Sequence, residues 1–478
     1  MKVAIVHYHL QPGGVTRVIE NTLQAWESAG IAIESTVLSG RAYPGTALTN
    51  TRVVEGLDYA LPEQAIDPNI LAERLERNAR KSLGGNPDIW HVHNHSLGKN
   101  PSLPPALNVL AQKGAFMLLH PHDFAEDGRP GNYQCLQSCY PTTYPSSERI
   151  HYAALNHRDL SFLQQMLSGL PGKAHLLANA IPLNDSLSQE KNCPDLPDNL
   201  YLYPVRAVRR KNLGELALLA ASHPDKYFAN SLGPTNPNFK EQFKEWKDFA
   251  ANQNLNLSFG LGEGCTASFP QMVGHAKAIV TTSVAEGFGL GFLEPWTYGK
   301  GLCGRNLPEI TSDFTTLGIN LSHLYNRCDV NLALLDEPGL LRKDIQIALE
   351  AFYSSYRIPL PSGSLEEAYQ SFVKEGQVDY GRLDEKLQQQ ILRKILRSTD
   401  ELNLVREKYP LTIPDEGDIQ CNQTAVKQQF SPIEYGNRLI TIYKEILEAK
   451  HQDITYADGN SLLRAFLSPK RLNLLRTT

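Results

Sequence analysis

The stretch Ala276-Lys277-Ala278-Ile279-Val280-Thr281-Thr282, followed by Glu286-Gly287-Phe288-Gly289-Leu290 and then Glu294-Pro295, decides how this chain is read. Residues 276–282 form a short apolar run of the kind that makes a buried parallel strand. The glycines break that pattern, and a new helix is expected just after them. A strand, a tight glycine turn and a helix start make a cradle for an anion, because the first N–H groups of a helix have no internal partner. The two carboxylates suit hydroxyls rather than phosphate. A nucleotide-sugar carries both kinds of group. The plain alternative is that Glu286 and Glu294 only complement a helix dipole. Gly287 and Gly289 weigh against it, since glycine lowers helix and strand propensity at a cost that folding alone does not require.

Working outward, the same unit recurs at the start of the chain. Val3-Ala4-Ile5-Val6 reads as a buried strand, Gln11-Pro12-Gly13-Gly14 breaks it, and Val15, Val18, Ile19 and Leu23 recur at helical spacing. Residues 31–38 read as a second strand and 70–83 as a charged helix. Asp88-Ile89-Trp90-His91-Val92-His93 and Ala115-Phe116-Met117-Leu118-Leu119-His120 read as short strands that run into polar residues. Residues 176–180 are expected to close this first sheet. The stretch 182–198, rich in Asn, Asp, Ser and Pro, reads as an interdomain linker. A second α/β series follows, with strands at 200–203 and 255–259, a helix at 213–221, and 269–274 leading into the strand before Glu286. Helices are expected at 340–353, 364–373 and 383–398, and a last amphipathic helix at 432–447. No internal repeat is evident.

Bulk properties set limits. At 478 residues the chain is long for one hydrophobic core, so two domains or more are expected. It is 41% apolar and 20% charged with a net charge of -5, which does not suggest a nucleic-acid partner or a general anionic-membrane surface. Seven cysteines without a repeated spacing fit a reducing compartment better than a disulfide scaffold. No apolar run reaches the roughly 18 residues of a membrane span. The N-terminus lacks signal-peptide features, so a cytoplasmic location is expected.

Several residues are candidates for chemistry. Gly13 and Gly14 allow close backbone approach to a diphosphate, or form a plain turn; the G-x-G-x-x-G spacing is absent. Arg206, Arg209, Arg210 and Lys211 place four cations within six residues just past a strand. They form either a solvated face or a clamp on a phosphate leaving group. His120, His122 and Asp123 follow a strand, at the carboxyl edge where open α/β sheets bind ligands. His91, His93 and His95 alternate, and alternate residues share a strand face. A metal is therefore worth weighing there, although Cys135 and Cys139 nearby are thin support for zinc.

Taken together, these motifs resemble the retaining GT-B nucleotide-sugar glycosyltransferases, in particular glycosyltransferase family four. EGFGLGFLEP resembles that family's paired-glutamate signature, and R-A-V-R-R-K its Arg–Lys pair. GG-V-x-R-V resembles its N-terminal glycine loop. LLHPHD puts His122 and Asp123 in register with its H-D position. GRNLPE resembles a late loop in which Arg305 and Asn306 replace glycines, and FSPIEYGNRLITIYKEI resembles the final helix. Residues 311–425 depart most from the pattern.

The resemblance implies an α/β fold of two Rossmann-like domains facing across a cleft, with extra C-terminal helices. The expected division is 1–190 as the acceptor-side domain, 198–428 as the donor-binding domain, and 429–478 as a helix returning to the first domain, with a tail. It implies transfer of a hexose, glucose or mannose, from a UDP- or GDP-sugar to a hydroxyl of a small-molecule or glycan acceptor. Arg206 and Lys211 would bind the diphosphate and stabilise the departing charge. Backbone N–H groups of Gly289 and Leu290, with Gly13 and Gly14, would assist within the Glu286-Gly287-Phe288-Gly289-Leu290 segment. Glu286 would bind the donor sugar, Glu294 the ribose, and His122 would lie near the reacting sugar face. Such enzymes usually need no bound metal and hold no permanent cofactor. The alternatives are a non-catalytic nucleotide-sugar-binding protein, or a phosphorylase or hydrolase on the same fold. Oligomeric state is left open.

Overall fold

The computed structural model describes residues 1–182, 195–451 and 453–477. The stretch read as the linker, 182–198, thus lies largely outside the described residues. The chain divides into two compact units. The first comprises Met1–Pro182, Ser355–Arg357 and Phe430–Ser468. The second comprises the remaining described residues.

The first unit is built on strands β1 (Lys2–His7), β2 (Glu34–Ser39), β3 (Thr51–Val53), β4 (Ile89–His93) and β5 (Met117–His120), a two-residue β6 (Pro145–Ser146), then β7 (Ile150–Ala154) and β8 (Lys173–Leu176). Seven of them form one parallel sheet in the order β3-β2-β1-β4-β5-β7-β8. Its apolar face starts from Val3 and Ile5 on β1, Ile89 on β4 and Leu118 on β5, all buried in one core cluster. Helix Gly14–Ser28 covers that face with Ile19, Ala25 and Trp26.

The final amphipathic helix is Pro432–Leu447, with the bounds expected from its periodicity. Ser431 caps it by accepting from the Glu434 N–H. Its Tyr435, Leu439, Ile442, Tyr443 and Ile446 enter the same cluster. Gly436 permits the close crossing, since a Cβ there would meet the Ala25 carbonyl oxygen at 3.0 Å.

Two strands differ from expectation. β2 begins at Glu34 rather than residue 31, with Ile31 and Ile33 only packed against the core. β8 ends at Leu176, where the closing strand was expected to begin. Leu177 still donates to the Ala154 carbonyl at 2.8 Å, but Ala178 and Ala180 are buried beyond the ladder. An apolar run reports burial, and burial does not require pairing.

A carboxyl group is buried in this unit. Glu126 Oε1 accepts hydrogen bonds from Tyr140 (2.9 Å) and Tyr144 (2.8 Å), while Oε2 has no partner. Burial pushes its pKa up to about 7. A carboxyl whose folded pKa is raised stabilises the fold fully below its unfolded value. That contribution is lost as pH rises through the folded one. We therefore expect the Glu126 contribution, read as the stability difference between the unaltered protein and Glu126→Gln in denaturant titrations, to fall by up to about 1.4 kcal/mol per pH unit between roughly pH 5 and 7. A difference that does not change with pH would remove Glu126 as its source.

The second unit holds strands β9 (Leu200–Arg206), β10 (Tyr227–Leu232), β11 (Leu257–Phe259), β12 (Ala278–Thr281) and β13 (Leu302–Gly304). They form a parallel sheet in the order β11-β10-β9-β12-β13. The expected C-terminal helices are present as Leu340–Ser355, Ser364–Phe372 and Glu385–Ile395. Among them lies a small antiparallel sheet of β14 (Asp329–Asn331), β15 (Val373–Lys374) and β16 (Gln377–Asp379). A last short strand, β17 (Thr455–Tyr456), pairs with β6 in the first unit. Among the described residues no helix is long and apolar enough to cross a membrane.

Candidate functional site

The strand order of the second sheet explains its site. From β9 the chain steps to β10 and β11 on one side, then returns to β12 and β13 on the other. Loops leaving β9 and β12 therefore diverge from neighbouring strands, the switch point at which open α/β sheets bind ligands. One loop carries 206–212 and the other 282–290.

The loops are fastened together before any ligand is considered. Thr282 Oγ1 donates to the carbonyls of Lys211 (2.9 Å) and Asn212 (3.1 Å), and the Val284 N–H donates to the Arg210 carbonyl at 2.9 Å. Asn212 takes the left-handed conformation (φ 53°) that asparagine tolerates. The result joins two expected site residues 75 positions apart: Lys211 Nζ donates to Glu286 Oε1. Their side chains are 16% and 13% exposed, so the pair is largely withdrawn from water.

Glu286 Oε1 also accepts from Ser283 Oγ at 2.6 Å, and Ser283 Oγ lies 2.5 Å from the phenol oxygen of Tyr203 on β9. Burial first, and the Glu286 charge second, hold the Tyr203 phenol above its usual range. It stays a neutral hydroxyl. A buried tyrosine, a serine, a carboxylate and an ammonium thus form one hydrogen-bonded chain. Its carboxylate is held rigidly enough to receive hydroxyls, and its cation is available to an anion.

The other expected residues are placed less uniformly. Arg206 stands exposed at the end of β9 and donates to the Gly233 carbonyl at 3.3 Å. No contact joins it to Lys211 or Glu286 in this state. Arg209 is held by Glu385 (3.2 Å) and by the Leu475 carbonyl (3.3 Å), and Arg476 donates to the Arg209 carbonyl at 2.7 Å. One of the four clustered cations is therefore structural.

Gly289 is left-handed (φ 92°), and a Cβ there would press on Ile310 at 3.0 Å. Phe288 is buried beside Phe314. The helix expected after the glycines is much shorter than the cradle argument assumed. Leu290–Phe292 is one 3-10 turn, and Glu294 opens the four-residue helix Glu294–Thr297. A dipole needs aligned turns, so individual N–H groups remain as donors here but little macrodipole does.

In the late loop Arg305 is buried, not presented to a ligand. It donates to Glu215 (2.6 Å) and Asp379 (2.7 Å). Tyr325 also donates to Glu215, at 2.8 Å. The residue that replaces a glycine thus anchors the helical insertion. Residues 313–316 belong to helix Pro308–Thr316.

In the first unit Gly13 and Gly14 open helix Gly14–Ser28. Neither has a left-handed φ, and no crowding demands glycine: a Cβ on Gly13 would approach only the Gln11 carbonyl oxygen at 3.7 Å, and one on Gly14 nothing within 4 Å. His122 lies just beyond β5. Asn94, left-handed at φ 56°, accepts on Oδ1 from the backbone N–H groups of His122 (2.6 Å) and Asp123 (3.2 Å). The His122 side chain meets His93, Nε2 to Nδ1, at 2.7 Å.

Alternation places His7, His91, His93 and His120 on one face, continuing the Val3, Ile89 and Leu118 face toward the strand ends. His95 departs from that pattern. It follows the turn at Asn94 and packs between the rings of Tyr144 and Tyr152.

Sequence reasoning missed Tyr203, Ser283, Asn94 and Tyr443. Only Ser283, three positions before Glu286, carries a local signal.

No family model matches the chain. It is 24% identical over 341 residues to the mannosylglucosyl-3-phosphoglycerate synthase of Petrotoga mobilis, a match covering 66% of this chain and 66% of that protein. Among solved structures it is similar to the sucrose-phosphate synthase of Thermosynechococcus elongatus (TM-score 0.54, 12% identity, 94% of this chain and 100% of that one). It is also similar to HepE of Anabaena in complex with UDP and glucose (TM-score 0.52, 12% identity, 93% and 99%). The chain has the GT-B glycosyltransferase fold shared by these structures.

Proposed function

We propose that the protein is a retaining glycosyltransferase that moves a hexose, glucose or mannose, from a UDP- or GDP-sugar to a hydroxyl of a small-molecule or glycan acceptor. The observation that carries this reading is the Lys211–Glu286 pair at the switch point of the second sheet, tied through Ser283 to buried Tyr203. A diphosphate carries more negative charge than one carboxylate. On donor binding it draws the Lys211 ammonium and leaves Glu286, still held by Ser283, to accept sugar hydroxyls.

The departing nucleoside diphosphate is then stabilised by a cation already in place, at little reorganisation cost. Arg206, exposed and donating to the Gly233 carbonyl, supplies a second cation by reorienting. The N–H groups of Gly289 and Leu290 and the open backbone at Gly13 and Gly14 suit close approach of phosphate oxygens. Glu294 is assigned to the ribose and His122 to the reacting sugar. Retention follows front-face attack, with the leaving phosphate accepting the acceptor proton. No step requires a metal.

The test is incubation with UDP-glucose, GDP-mannose and their relatives, with and without acceptors. Glucosyl-3-phosphoglycerate belongs in the panel, given the similar protein's name. Acceptor-dependent release of UDP or GDP with a retained anomeric configuration is the expected result. Donor binding without turnover on any acceptor would make the protein a nucleotide-sugar binder. Release without acceptor would make it a hydrolase.

Glu286→Ala is expected to lower the rate and to narrow the difference in kcat/KM between donor sugars. Those are the consequences of losing an acceptor of specific hydroxyls. Unchanged donor preference would remove Glu286 from the sugar.

A further inference from the structure

We propose that His91, His93 and His120 form a binding site for one divalent transition ion of the zinc class, inside the first sheet. The three side chains lie on one face of adjacent strands β4 and β5, with His93 and His120 in register. All three are fully buried. Each offers a ring nitrogen, and these atoms lie within 4.8 Å of one another.

The proton count leads to the ion. Tyr443 Oη lies 2.8 Å from His91 Nδ1, and His91 Nε2 lies 3.1 Å from His120 Nδ1. His122 Nε2 lies 2.7 Å from His93 Nδ1. Each chain of contacts then stops: His120 Nε2 and His93 Nε2 are both buried without a hydrogen-bond partner. A neutral imidazole has one N–H and one lone pair. Whichever way the protons run, each chain ends either in a buried N–H lacking an acceptor or in a lone pair lacking a donor. Either costs about 1–3 kcal/mol. A metal ion removes that cost, because lone pairs are what it binds.

The chemistry of the donors selects the ion. Neutral imidazoles suit Zn2+ and its neighbours, whereas Mg2+ and Ca2+ take oxygen. With Zn–N bonds of about 2.0–2.1 Å, nitrogens on a tetrahedral ion stand about 3.3 Å apart. The candidate ring nitrogens lie within 4.8 Å of one another, and ring rotation closes the difference. Tyr443 beside His91 Nδ1 is the outer partner that orients a ligating histidine.

A second cluster, His151, His175 and Glu445, is weaker, since Glu445 already accepts from Lys173 at 2.6 Å.

The protein, equilibrated with Zn2+ or Co2+ and freed of loose ions by gel filtration, is expected to retain one equivalent by elemental analysis. Its Co2+ form should show the intense visible bands of a tetrahedral nitrogen site. The double variant His93→Gln/His120→Gln, its fold checked by circular dichroism, should retain none, and His151→Gln should retain it all. Retention of no ion by the unaltered protein would overturn the proposal and leave a neutral imidazole network satisfied by water. A folded double variant that keeps its equivalent would overturn it too. Should that variant not fold, the cobalt spectrum of the unaltered protein decides: weak octahedral absorption overturns the assignment.

Discussion

Lys211→Ala is expected to lower kcat, measured at saturating donor, by at least about 100-fold. The ammonium is largely withdrawn from water and sits on Glu286, in a loop pinned by Thr282 and Val284. A cation held in this way acts most strongly on charge that develops during the reaction, because water does not screen it. Its loss should therefore appear in kcat and not only in KM. A raised KM with unchanged kcat would make Lys211 a ground-state binding residue. A near-normal rate would remove it from the leaving group altogether. The thermal midpoint of the variant separates this from damage to the loop, since Glu286 keeps its bond from Ser283.

Arg305→Gly is expected to destabilise the second unit by about 3–5 kcal/mol in urea unfolding, although it restores the residue type that the resembling family carries there. Arg305 is 3% exposed and serves two buried carboxylates at once. Burial pushes the Glu215 carboxyl up against the pull of Arg305. Burial also opposes ionisation of Asp379, but Arg305, Arg327 and Arg382 outweigh it and hold that group down at about 2. Without the guanidinium, two carboxylates would share a dry site with no fork between them. Arg305→Lys should recover only part of the loss, because an ammonium cannot bridge both partners in a plane. A loss under about 1 kcal/mol for Arg305→Gly would mean the network contributes no more than a surface ion pair.

These two positions show why part of the site was legible and part was not. Lys211 and Glu286 each lie in a local pattern: cations after one strand, and glycines with carboxylates after another. Parallel strands announce themselves as short apolar runs, and ligands gather where such strands end. Gly13, Gly14 and His122 were proposed in the same way, each from its place after a strand. The partners that hold them were not. Tyr203 reads as one more core residue of β9, and Arg476 as one more cation of the tail. Arg305 read as a departure in a ligand loop, yet its partners lie 90 and 74 positions away. The helix after Gly289 was overestimated, because a helix start can be read locally but its length depends on what packs against it.

The sequence by itself determined the two α/β series, the strand ends that carry polar residues, and the final helix Pro432–Leu447. Those features rest on periodicity and local chemistry, which act over a few residues. Tertiary structure alone decided which cation meets which carboxylate, that Arg209 and Arg305 are structural, and that His91, His93 and His120 converge while His95 turns away. Such outcomes depend on strand order and register. Hydrogen bonds and charges act between neighbours in space, and only the folded sheet makes residues tens of positions apart into neighbours.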